Sequence, residues 1–392
     1  MKAKLKALLK RNRALYMLYF HAGSFLLRLL GLFIKTDPNL ILFISYGGQK
    51  YDDSPRVVYE YLLEHPVSDS HRYVWAFLQP DSFPQVPNRI KVDTLRYYVT
   101  ALKADCWITN STASRGLNFK KKQTKNVLFT HGMTGMKKIG NDNASPDKAF
   151  RSGFHEQFDL IFLEGKKESQ ILTHAWDRDP GAFRVTGLPR NDDLAQVLPQ
   201  EVEQIKKRMG LPLDKQVILY APTFREFTRA ADGRNALGIP MDFTKWEQLL
   251  GDRYVLLITA HYEVAKLLNE LPANGFVFNA FQYPVLNDLL KVADLLISDY
   301  SSVVFDYSIL EKPILCYGYD CDVYARERGL YVDLDEFYSH GALRTEDQLL
   351  QVILTMDYEA ECCYTRQHIK EPYIAAYGNA AEAAVREIFG TR

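Results

Sequence analysis

The chain has 392 residues, too many for one ordinary hydrophobic core, and Lys plus Arg balance Asp plus Glu at 48 each. No global field therefore recruits nucleic acid, and any anion site must be a local cluster. Five cysteines, Cys106, Cys316, Cys321, Cys362 and Cys363, form no CxxC pair; their odd number argues against a full disulfide framework and for a reducing cytoplasm.

The first thirteen residues carry Lys2, Lys4, Lys6, Lys10, Arg11 and Arg13 without an acid, and an apolar, aromatic run follows from Ala14 to Ile34. His21, Ser24 and Arg28 interrupt it, short of the about 20 uninterrupted apolar residues that span a bilayer. Residues 1–36 thus read as a basic amphipathic helical segment lying on an anionic membrane surface, where each Lys or Arg is worth about 1 kcal/mol. A helix packed on the protein body is the plain alternative.

Strand-length apolar runs then recur at Asn39–Ser45, Tyr73–Leu78, Asp105–Thr109, Asn126–Thr130, Asp159–Leu163 and Phe183–Thr186. Helix-compatible stretches separate several of them, the pattern of a parallel α/β sheet. It restarts at Val217–Ala221, Tyr254–Ala260, Phe276–Asn279, Leu295–Ser298 and Ile314–Tyr317. Between the two sets, the polar stretch Leu194–Met209 ends at Gly210 before Pro212, as a linker would. The expected division is therefore 37–195 for an N-terminal Rossmann-like domain, 196–212 for a linker and 213–392 for a C-terminal Rossmann-like domain with its helices.

Two doubly wound domains in tandem bring the carboxyl ends of both sheets to a shared cleft, and the polar motifs fall at those ends. Ile297-Ser298-Asp299-Tyr300-Ser301-Ser302 runs from an apolar strand into two serines that can open a helix, whose free N–H groups and hydroxyls suit a phosphate; plain N-capping is the alternative. His131 lies in a loop with Gly132, Gly135 and Gly140, where an imidazole can take a proton from an attacking hydroxyl. Lys137 and Lys138 in the same loop are surface charges or anion contacts. His261, Thr223 and Arg225 supply a donor, a hydroxyl and a guanidinium fork for phosphate oxygens. Arg190, beside Asn191, reaches the cleft or stabilises the interdomain turn. There is no HExxH, CxxC or strand-terminal Asp-x-Asp, so no metal ligand set and no required cofactor is expected, although loosely held magnesium is compatible with the chain.

In order along the chain, Ser45-Tyr46-Gly47-Gly48-Gln49-Lys50-Tyr51, His131-Gly132 through Lys137-Lys138-Ile139-Gly140, Gly187-Leu188-Pro189-Arg190-Asn191-Asp192, Tyr220-Ala221-Pro222-Thr223-Phe224-Arg225 and the Ser301-Ser302 motif resemble the CDP-glycerol glycerophosphotransferase family of teichoic-acid and capsule synthesis. The resemblance implies a glycosyltransferase-B type fold with the nucleotide on the C-terminal domain, peripheral attachment to the cytoplasmic face of the membrane, and release of CMP from a CDP-polyol donor. It implies His131 as general base and His261 as diphosphate contact or acid. Thr223, Arg225, Asp299, Ser301 and Ser302 then hold the donor diphosphate, with Gly132, Lys137, Lys138, Arg190 and Asn191 on the acceptor side. The acceptor would be a hydroxyl of a lipid-linked glycan or growing polymer. Met133-Thr134-Gly135-Met136 departs from the family's Thr-Pro-Leu after His-Gly. A nucleotide-sugar glycosyltransferase and a non-catalytic membrane assembly factor are the competing readings. Glycerol against ribitol, priming against polymerisation and oligomeric state stay open.

Overall fold

The computed structural model describes residues 13–143, 156–223, 240–259 and 275–390. Two parallel sheets organise it. The first runs β3-β2-β1-β4-β5-β6-β7, with β1 (Asp37–Ile44), β2 (Arg72–Phe77), β3 (Arg89–Lys91), β4 (Ala104–Thr109), β5 (Lys125–Phe129), β6 (Leu160–Leu163) and β7 (Phe183–Val185). The second runs β10-β9-β8-β11-β12-β13, with β8 (Gln216–Ala221), β9 (Tyr254–Ile258), β10 (Val277–Asn279), β11 (Leu295–Ser298), β12 (Ile314–Tyr317) and β13 (Ala342–Leu343). The interior strands are mostly apolar runs, as expected where helices cover both faces of a sheet; Leu40 to Ile44 and Leu295 to Ser298 are buried without a break. The short edge strands β3 and β13 were not expected.

Each sheet reverses its strand order once, between β1 and β4 and between β8 and β11. Chain leaving those strand ends diverges to either side, which opens the crevice where such sheets take ligands. Tyr46–Gly48 and Asn110 flank the first switch point; Thr223 and Asp299–Ser302 flank the second.

The helix Pro199–Met209 joins the two sheets, with proline at its first turn and Gly210 closing it at φ +69°. The terminal helix Ala380–Phe389 differs from expectation. Sequence order assigns it to the C-terminal half, yet Ala384, Val385 and Ile388 pack in the core of the first sheet with Ile41, Phe43 and Val58. Asp192 caps it, its carboxylate accepting the N–H groups of Ala380 and Ala381 at 2.8 Å.

At the other end, the helix Arg13–Phe33 lies along the first domain. Leu27 and Leu30 pack on the core beside β1, and Arg28 donates to the Asn118 carbonyl. Its outer face leaves Leu18, Phe25, Leu26, Leu32 and Phe33 exposed. Leu15–Phe33 is long and apolar enough to cross a membrane by length and composition, where the sequence reading judged the run too interrupted. The basic residues up to position 11 lie outside the described residues.

Candidate active site

The loop after β5 carries His131 to the cleft and continues into the second domain. Met133 and Met136 are buried in the second core among Tyr300, Val304 and Phe305. The Lys138 N–H donates to the Gly329 carbonyl at 3.0 Å, the Tyr331 N–H to the Met136 carbonyl at 2.9 Å, and the Tyr331 hydroxyl to Asp142 at 2.7 Å. A Cβ on Gly135 would come within 2.9 Å of the Phe305 ring, so only glycine lets the loop sit this close. Lys137 and Lys138 thus lie on backbone paired across the domains. At the start of this loop, His131 is exposed, with the Tyr46 ring packed edge-on at 6.3 Å between centroids.

Opposite stands Ser302, the N-cap of the six-residue helix Val303–Ser308. Its hydroxyl makes no capping bond, and it lies 2.7 Å from where a Cβ on Gly132 would be. Ser301 does help its own turn, its hydroxyl accepting the Val303 N–H at 3.4 Å. Asp299 is buried and accepts the Thr223 N–H on both carboxylate oxygens, at 2.9 and 3.0 Å. The carboxylate therefore ties the β8 loop to the β11 loop. Arg225 and His261 lie outside the described residues.

Arg190 and Asn191 form a cross-domain lock. Arg190 Nη2 donates to both oxygens of Asp306 at 2.6 and 2.7 Å, and Nη1 lies 3.7 Å from Asp53. Asn191 bridges Glu164 at 2.6 Å and Asp306 at 2.5 Å. Asp53, held at φ +65°, also accepts from the Tyr46 hydroxyl at 2.7 Å and the Asn110 amide at 3.0 Å. Burial works against the Arg190 charge, but Asp306, Asp53 and Glu164 outweigh it and hold the guanidinium protonated. Burial, then the neighbouring Asp306 charge, pushes the Glu164 carboxyl well above the usual range. Glu168 is pushed up to about 7 by burial, against the N–H bonds it accepts from Glu164 and Thr134. Sequence reading missed Tyr46, Asp53, Asn110, Glu164 and Asp306 as individuals, though Asp306 closes the Ser-Ser-Val-Val-Phe-Asp run.

A cavity of about 380 Å3 opens beside His131, walled by Leu128, Met133, Ile139 and Trp176 and reached by Ser302. Two switch-point crevices, a histidine and an uncommitted hydroxyl thus meet across one cleft, an arrangement suited to activating a hydroxyl beside a phosphate.

The model of the CDP-glycerol:poly(glycerophosphate) glycerophosphotransferase family matches residues 26–390. The chain belongs to this family. It is 31% identical over 316 residues to a teichoic acid poly(glycerol phosphate) polymerase of Staphylococcus epidermidis, covering 77% of this chain and 43% of that protein. It is 30% identical over 341 residues to a teichoic acid glycerol-phosphate transferase of Staphylococcus aureus, covering 82% of this chain and 85% of the other. The solved wall teichoic acid polymerase TagF superposes with a TM-score of 0.80 at 27% identity, over 90% of this chain and 89% of that one. The chain therefore spans less than half of the first relative and most of the other two.

Proposed function

We propose that the protein transfers glycerol phosphate from CDP-glycerol to a terminal hydroxyl of a growing teichoic-acid polymer and releases CMP. His131 removes the hydroxyl proton. The freed oxygen forms a bond to the donor's distal phosphorus, and the bond to the bridging oxygen breaks, so that CMP leaves with the electron pair. Ser301, Ser302 and Thr223 hold the diphosphate from the second domain, with Arg225 and His261 assigned to it by family resemblance. The observation that carries this reading is the approach of the His131-Gly132 turn to the uncommitted Ser302 hydroxyl, which sets a base and a phosphate donor group on opposite walls of one cleft.

Asp299 acts indirectly, aligning the Thr223 and Ser301 loops, and Arg190 and Asn191 hold the domains together. Attachment to the cytoplasmic face of the membrane is supported by the exposed apolar side of the helix Arg13–Phe33, whose other side is seated on the first domain. A lipid-linked acceptor would then meet the cleft from that surface.

The test is CMP release by the purified protein with CDP-glycerol or CDP-ribitol and a polymer-terminated acceptor. General-base catalysis is worth typically 10²–10⁴-fold, so His131→Ala should lose turnover on that scale while CDP-glycerol binding persists in calorimetry. Unchanged turnover removes His131 from the mechanism. Nucleoside diphosphate as the product would instead make the enzyme a glycosyltransferase.

A further inference from the structure

The cavity beside His131 has a charge pattern that proton transfer does not use. Its lining contains two cations, Lys137 and Arg328, and no carboxylate among the described residues. Arg328 is the last residue of the helix Cys321–Arg328 and is half-buried, yet among the described residues it has no hydrogen-bond or ion-pair partner. That sets it apart. Arg89, Arg115, Arg178 and Arg190, also half-buried, each bond to a carbonyl or carboxylate. A cation at a helix C-terminus gains about 0.3–1 kcal/mol from the dipole, but the exposed Arg326 two residues earlier meets that need. It does not account for a second arginine lining a cavity with apolar walls.

Three other polar residues of the lining are already engaged. Asn110 is engaged by Tyr46 and Asp53, Ser111 accepts the Gly47 N–H at 2.9 Å, and Thr112 contacts Glu156 and Ser114. The cavity therefore offers an entering molecule apolar surface, one guanidinium without a partner among the described residues and, on the side of His131, the Ser302 hydroxyl already assigned to the donor. Those features match a singly charged phosphodiester carried on short carbon units, since the guanidinium fork takes two phosphate oxygens and the walls take methylene groups.

We propose that this cavity is an acceptor subsite in which Arg328 holds a phosphodiester of the acceptor chain behind the hydroxyl presented to His131. Resting on the transfer reading above, the proposal adds that one side chain, Arg328, reads the phosphodiester next to the reacting hydroxyl. Arg328 is the specificity-determining residue.

The decisive experiment has a binding arm and a kinetic arm, both on the full-length protein. Glycerophosphoglycerol and uncharged diglycerol are titrated in the absence of donor, against the native protein, Arg328→Gln and Arg328→Lys. The native protein is expected to bind the phosphodiester at least about 10-fold more tightly than diglycerol. Arg328→Gln should lose about 10- to 100-fold of that affinity, the range for a hydrogen bond to a charged group, and Arg328→Lys should keep part of it. In the kinetic arm, Arg328→Gln should raise KM for a phosphate-terminated acceptor by a similar factor, leaving KM for CDP-glycerol within about twofold. Equal affinity for the two probes overturns the subsite, and a selective rise in KM for CDP-glycerol moves Arg328 to the donor and overturns it equally. Phosphodiester binding that needs Arg328, without CMP release, would uphold the subsite while defeating the transfer reading.

Discussion

Replacing Arg190 by methionine should uncouple the two domains, because the guanidinium is the cation at the centre of three buried acids. Its side chain is 12% exposed and that of Asp306 3%. At about 4 Å between charge centres and an effective dielectric near 20, such a pair is worth about 4 kcal/mol. Removing one partner of a buried pair costs about 3–5 kcal/mol, since the other is left uncompensated. Arg190→Met leaves Asp306 with Asn191 and the Glu164 carboxyl but no cation among the described residues, while Asp53 keeps Tyr46 and Asn110. Asp306→Asn leaves the arginine its longer contact with Asp53 at 3.7 Å instead. The double variant removes both charges and should cost less than the sum of the singles by about 1.5–3 kcal/mol. Arg190→Lys should not rescue, because one ammonium cannot reproduce the fork on Asp306 and reach Asp53. Urea unfolding provides the assay, with Trp75 and Trp107 reporting the first core and Trp246 the second. In Arg190→Met the two sets of tryptophans should unfold at separate midpoints. Additivity of the two single changes within about 0.5 kcal/mol, or coincident midpoints in every variant, would refute the lock.

Three further outcomes are expected. Between pH of about 4.5 and about 7 the folded protein retains a proton on Glu168 that the unfolded chain has lost, so stability falls as pH rises through that window and levels off above it. The size is about 3 kcal/mol, and Glu168→Gln should flatten the curve in denaturant titrations at pH 5, 6, 7 and 8; an unchanged slope would assign the effect elsewhere. A Cβ at Gly165 would run into the Tyr373 carbonyl, so Gly165→Ala should destabilise by about 1–3 kcal/mol through overpacking and speed proteolysis of the segment leading to the last helix. Changing Phe25, Leu26 and Leu32 to serine should lower binding to anionic vesicles more than about 10-fold, since each buried side chain contributes about 1.5–3 kcal/mol, while the melting temperature stays put; undiminished sedimentation with vesicles would locate the membrane contact on another surface.

The two-sheet fold was legible because parallel strands covered on both faces are long apolar runs, and eleven such runs stand where strands form. The edge strands were not, since three residues at Arg89–Lys91 and two at Ala342–Leu343 leave no periodicity to detect. Nor was the return of the last helix to the first sheet, which depends on Asp192 capping a helix nearly two hundred residues away. In the site, strand-end position was enough to pick out His131, Asp299 and Ser302. What each does depended on partners distant in sequence: Asp299 faces Thr223 and Arg190 faces Asp306, and no local pattern distinguishes an arginine aimed at phosphate from one aimed at a carboxylate.

The two methionines that depart from the family's Thr-Pro-Leu belong to the same problem. A base on a loop of one domain can serve a donor on the other only if the loop follows the second domain, or the proton and the phosphorus drift apart with every domain movement. Met133 and Met136 are 2% and 1% exposed within the second core, although the strand that delivers them is in the first sheet. Unbranched and soft, methionine fills the irregular space around Tyr300 and Phe305 without demanding a particular rotamer. The loop is thereby referenced to the helix that begins at Ser302 more firmly than to β5. Substituting Met133 and Met136 by alanine should therefore reduce kcat more than it raises KM for donor, because the diphosphate groups stay in place while the imidazole loses its register to them. A rise in donor KM with kcat preserved would mean that the methionines support the nucleotide pocket and leave the base indifferent to them.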